Sequence, residues 1–130
     1  MNNSSQNTSE VVNRFSRVYL GDSVIERIEI DMICDQMTFL CNYALLIDAN
    51  NPNIFEPERR YQPAYLTFDE VKCFSCPEAN FCLNNTIVSF DARPASEEGL
   101  TEFRMDMTGG FDDESFMRSF IILARDFSLA

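Results

Sequence analysis

The segment Thr101-Glu102-Phe103-Arg104-Met105-Asp106-Met107-Thr108 decides the fold class. Apolar and charged residues alternate with a period of two, the pattern of a strand with one buried and one wet face. The segment Thr86 to Arg93 mirrors it. Folded back on each other, the two place Val88, Phe90 and Ala92 against Met107, Met105 and Phe103. Ser89, Asp91 and Arg93 then meet Glu102, Arg104 and Asp106 on a solvated surface, as in an antiparallel pair.

Working outward, the same period runs from Val24 through Ile28, Ile30, Met32 and Cys34, and resumes in Met37, Phe39, Cys41 and Tyr43. A two-residue turn at Asp35-Gln36 pairs Cys34 with Met37, Met32 with Phe39, Ile30 with Cys41 and Ile28 with Tyr43. Met32, Phe39, Phe90 and Met105 are therefore expected in one shared interior. Ala64 to Cys76 is again strand-like, with a bulge or tight turn at Asp69-Glu70. Pro77 to Asn85 is a connection that turns at Asn84-Asn85. Ser115 to Leu129 forms the last strand, and its run Phe120-Ile121-Ile122-Leu123-Ala124 predicts cover on both faces.

Between these strands, Asp48 to Pro63 reads as a long surface loop carrying the basic pair Arg59-Arg60. At the other end, Val11, Phe15, Val18 and Tyr19 recur at helical spacing. They predict a short helix capped by Thr8 or Ser9 and ended by Gly21. Residues 1–9 read as a disordered tail and 10–130 as one β-rich domain. The expected fold is mostly β: an antiparallel β-sandwich or partly open barrel of about six strands with a short N-terminal helix.

The chain has 130 residues, 21 acidic against 10 basic, a net charge of −11, and no His. Lack of His excludes catalytic arrangements and metal sites that need it. The charge disfavours nucleic acid and anionic membrane surfaces and favours basic partners. The N-terminal stretch has neither the basic nor the apolar region of a signal peptide, and no apolar run is long enough for a membrane helix. The expected location is the cytoplasm, where the sequons at Asn3, Asn7 and Asn84 stay unmodified.

Five Cys, an odd number, fit a pool of reduced thiols. Cys73, Cys76 and Cys82 have a metal-like spacing but no His to complete a zinc site, so no cofactor is expected. Lys72 is the sole Lys and reads as a solvent-facing edge residue. No phosphate-binding glycine loop and no locatable carboxylate pair marks an enzyme. The strongest charge feature runs from Glu97 to Glu114, with seven acids against Arg104 alone. Its candidate partner-binding residues are Glu97, Glu98, Asp112, Asp113 and Glu114. Asp112-Asp113-Glu114 lacks the spacing of a calcium loop, so a basic protein is the expected partner.

Tyr19-Leu20-Gly21-Asp22, followed by Ile25, Ile28, Ile30 and Asp31, resembles a family of small uncharacterised bacterial proteins with an N-terminal YLGD-type motif. The resemblance continues at Tyr65-Leu66-Thr67-Phe68-Asp69-Glu70-Val71 and at Phe120 to Phe127. After Cys41 the chain departs from that pattern, with Asn42-Tyr43-Ala44-Leu45 and a Pro-rich loop. In size, charge and β content the family is similar to immunity proteins of bacterial toxin systems. Together with the missing catalytic motifs and the acidic Glu97–Glu114 region, this makes the expected function a non-enzymatic acidic binding protein, an immunity-like module that neutralises a basic toxin, with further contacts from the Asn50–Gln62 loop. The alternatives are a self-associating structural domain, or a Cys-based metal or redox module.

Overall fold

The computed structural model describes residues 4–77, 86–109 and 117–130. Among the described residues one helix, α1 (Ser4–Phe15), precedes nine strands: β1 (Val18–Tyr19), β2 (Ile25–Asp31), β3 (Gln36–Cys41), β4 (Ala44–Leu46), β5 (Arg59–Tyr61), β6 (Ala64–Ser75), β7 (Thr86–Pro94), β8 (Thr101–Thr108) and β9 (Arg118–Leu129). Six form an antiparallel sheet in the order β2-β3-β6-β9-β8-β7, and β1-β4-β5 form a small second sheet. The large sheet is not closed into a barrel. A single bridge, Val24 to Thr86, links the approach to β2 with the start of β7. The mostly-β expectation holds, with the six long strands in one sheet.

Alternation decides which side is buried. On β3, Met37, Phe39 and Cys41 are buried, and on β8 so are Thr101, Phe103, Met105 and Met107. Phe15 of α1 packs edge-on to Phe103 and Phe127, each at 5.1 Å between ring centres. Val18 of β1 and Ala44 of β4 join the same core. The helix and the small sheet thus cover the apolar face of the large one. Arg14, in the last turn of α1, donates to Asp126 at 2.8 Å and to the Phe127 carbonyl at 2.9 Å. These contacts tie the helix to β9.

The β7–β8 register is the expected one from Ser89 to Pro94. A bulge at Val88 then shifts the ladder, so Ile87 is buried and Val88 is exposed. On β9, Phe120, Ile122 and Ala124 are buried, while Ile121 and Leu123 on the other face are half-buried, less covered than expected. At the β6–β9 pair, Phe68 opposite Phe127 and Val71 opposite Ala124 both reach the core. Two residues intervene on each strand where strict alternation allows one. Glu70 has φ 50°, and the ladder itself shifts between Val71 and Cys73, past the irregularity expected at Asp69-Glu70.

Several expectations need correction. The helix starts at Ser4, inside the stretch read as a tail, so Thr8 and Ser9 are interior to it. It ends at Phe15 because Val18 and Tyr19 pair with Leu46 and Leu45. Part of the expected long loop is strand: Arg59 and Arg60 lie on β5. Lys72 lies on β6 past its last pair with β3, Met37 with Phe68, so on that side the strand is locally unpaired and Lys72 is solvent-facing as expected.

The first hairpin departs furthest. Asp31 faces Gln36 and Ile30 faces Met37. The turn is the four residues Met32 to Asp35. Type I′ geometry needs positive φ at both central residues, which Asp35-Gln36 without glycine does not favour. Instead Asp35 alone is left-handed, at φ 55°. The register moves by an even step, so Ile28 stays on the face of Phe39. Met32, however, leaves the interior and is 85% exposed.

Candidate interaction surface

The turn between β2 and β3 is built by its two aspartates. The Asp31 carboxylate accepts the N–H groups of Ile33 and Cys34, both at 3.0 Å. These bonds replace an Asp-Gly signal with an Asx-type turn. The hairpin end is also fastened sideways to β6. Val71 N–H donates to the Asp35 carbonyl at 2.8 Å, and the Gln36 amide donates to Asp69 at 2.7 Å. The left-handed Glu70 sits between the two attachment points.

This fastening holds apolar side chains in water. Ile30 is 58% exposed, Met32 85% and Ile33 94%. Beside them a depression of about 180 Å³ is lined by Ile30, Met32, Met37, Val71 and Phe74 together with polar residues that include Asp35 and Lys72. Asp31 and Asp35 flank the apolar pair in sequence. The backbone N–H groups of Cys34 and Ile33 hold Asp31 below the ordinary carboxylate range. Asp31 in turn raises the Cys34 thiol above its usual value. The hairpin end therefore carries fixed negative charge around an apolar centre.

Of the five residues singled out from the sequence, Glu97 and Glu98 lie among the described residues. Glu97 is ion-paired with Lys72, and Glu98 is exposed. Asp112, Asp113 and Glu114 lie outside the described residues, as do Cys82 and Asn84-Asn85. Nearby acids are already matched: Glu102 to Arg93 at 2.6 Å, and Asp106 to Arg104 at 3.0 Å. Burial alone raises the Asp106 carboxyl, but hydrogen bonds from Ser119, Ser89 and Arg104 outweigh it and hold the pKa low.

The YLGD-type motif is a packing device in this structure. A Cβ on Gly21 would lie 2.5 Å from the Tyr19 hydroxyl, so a larger residue there would push the end of the Tyr19 side chain aside. The Tyr43 hydroxyl donates to the Gly21 carbonyl. Asp22, at φ 63°, then offers its N–H to Ile87 at 2.8 Å. The motif thus turns the chain from the small sheet toward β7.

Cys34 and Cys73 are exposed, Cys76 is half-buried and Cys41 is buried. Burial pushes the Cys41 thiol up to about 11. Among the described residues, no group of three or more His, Cys, Asp or Glu is placed to hold a metal ion. No described helix is long and apolar enough to cross a membrane. No family model, curated protein or solved structure matches the chain.

Sequence reasoning missed the hairpin end because it assigned Met32 and Cys34 to a strand. The available signal was the pair Asp31 and Asp35 bracketing three non-glycine residues. Asp is suited both to opening an Asx turn and to a left-handed position.

Proposed function

We propose that the protein is a non-enzymatic binding protein for a basic protein partner, with the β2–β3 hairpin end as its principal contact. The observation that supports this reading is the exposure of Met32 and Ile33 between Asp31 and Asp35. Large apolar side chains held in water gain free energy when a partner covers them. The surrounding carboxylates and the net charge of −11 select a cationic partner and speed the encounter. A basic toxin, neutralised in a bacterial cytoplasm, is the partner class that the immunity-protein resemblance adds. Glu97, Glu98, Asp112, Asp113 and Glu114 remain the second proposed contact region.

The test is capture from the native host, identification of the retained protein, and titration of the purified pair by calorimetry. An Ile33→Lys variant is expected to weaken binding by about tenfold or more, as loss of a central apolar anchor does. If Ile33→Lys binds normally and reversal of Asp112, Asp113 and Glu114 to Lys abolishes binding, the contact belongs to the second region. Retention of an acidic partner, or of none, overturns the reading.

A further inference from the structure

β2 is the outer strand of the large sheet. From Glu26 to Asp31 its far side meets no other strand among the described residues. Such an edge presents backbone N–H and C=O groups to any strand that fits. Charged side chains ordinarily protect an edge, and β2 carries four: Glu26, Arg27, Glu29 and Asp31. Their order, however, complements itself.

Arg27 reaches Glu29 at 3.0 Å within one chain, which puts both on the outer face of the strand. Ile28, on the opposite face, packs against the core. When two β2 strands run antiparallel about a two-fold axis, a residue meets one of its own face, and the register is named by the residue at the axis. Centring on Glu26, Arg27, Glu29 or Asp31 sets that charge against its own copy. Centring on Ile30 sets Glu29 against Asp31. Centring on Ile28 sets Arg27 opposite Glu29 twice and Ile28 opposite itself, with no like charges across the pair.

We propose that β2 is a self-recognition edge, pairing antiparallel with β2 of a second copy in the register centred on Ile28. The two sheets then join into one of twelve strands, and the added strand covers part of Ile30, which is 58% exposed in the single chain. This goes beyond the binding reading. It uses the backbone edge of β2 and the Arg27–Glu29 pair, whereas partner binding uses Met32 and Ile33.

The experiment is sedimentation velocity on the full chain, the single variants Arg27→Glu and Glu29→Arg, and an equimolar mixture of the two variants. Arg27 and Glu29 are both more than half exposed, so each variant should keep the fold, as circular dichroism checks. The unaltered chain is expected to dimerise with rising concentration. Each variant presents one sign of charge at both positions, repels itself, and should self-associate about tenfold or more weakly. Mixed, the acidic and basic variants attract one another, and the dimer returns as a heterodimer. Contacts within a chain do not produce that recovery. A chain that stays monomeric throughout, or a dimer that the mixture fails to restore, overturns the proposal. Either result leaves the Ile33→Lys binding test unaffected.

Discussion

The Asp31 carboxylate holds the backbone N–H of Cys34 at 3.0 Å, closing the turn that presents Met32 and Ile33 to water. The same contact couples two titrations. The N–H groups favour the charged carboxylate, and the carboxylate disfavours a thiolate at Cys34. Structure and reactivity at the hairpin end thus depend on one side chain.

Replacing Asp31 with Asn is expected to speed alkylation of Cys34 at fixed pH, because the thiol pKa falls back toward 9.0 and more thiolate is present. Cys73 serves as the internal control. Mass-resolved labelling distinguishes the two sites. Equal Cys34 rates in both proteins contradict the coupling.

Cys41 should behave in the opposite way. Its Sγ is buried and its pKa is raised to about 11, so labelling at neutral pH must await opening of the sheet. Cys34 and Cys73 are expected to react in the folded protein, and Cys41 only as denaturant is added. Prompt labelling of Cys41 in the native state counts against its buried place at the end of β3.

The two hairpins show how far pattern reading carries. Phe90 opposite Met105 and Ala92 opposite Phe103 follow from alternation alone, because a one-residue slip there buries charge. The bulge at Val88 was not legible. Ile87 and Val88 are chemically similar, and the choice between them is made by the Ser23–Ile87 backbone contact, distant in sequence. At the hairpin end the exposed Met32 and Ile33 look like core residues to any hydrophobicity count. Their exposure follows from the Asp31 turn and the fastening of Asp35 to Val71, both set by backbone geometry. The Glu97–Lys72 pair was likewise invisible, since it joins residues on different elements.

That bulge gives a direct stability test. Ile87→Ala is expected to cost about 2–5 kcal/mol, the usual range for emptying a filled core site. Val88→Ala, at an exposed position, should cost no more than about 0.5 kcal/mol. Urea unfolding of both variants reads the difference, and similar losses contradict the shifted ladder.

Asp106 links acid stability to the outer face of β8. Its folded pKa is lowered from 3.8, so its contribution is complete above that unfolded value. The contribution is lost as pH falls through the lower folded value, where the Ser119, Ser89 and Arg104 bonds to a carboxylate no longer form. Asp106→Asn is expected to destabilise at pH 7 by about 1–3 kcal/mol. Near pH 2 the gap between the two proteins should shrink. A gap that stays constant between pH 7 and pH 2 removes Asp106 from the acid response.

Thr101 offers a gain instead of a loss. Its side chain is fully buried at the start of β8, and its hydroxyl has no hydrogen-bond partner among the described residues. A buried donor without a partner carries the cost of lost hydration with nothing to offset it. Valine keeps the branched shape and the strand preference while removing that hydroxyl. Thr101→Val is therefore expected to stabilise the protein by about 1 kcal/mol, a rise of roughly 3–5 °C in Tm for a domain of this size. Thr101→Ser, which keeps the hydroxyl and loses the methyl, should destabilise. Calorimetry on the three proteins orders them, and a Val variant that melts lower than the parent shows that the hydroxyl is satisfied in solution.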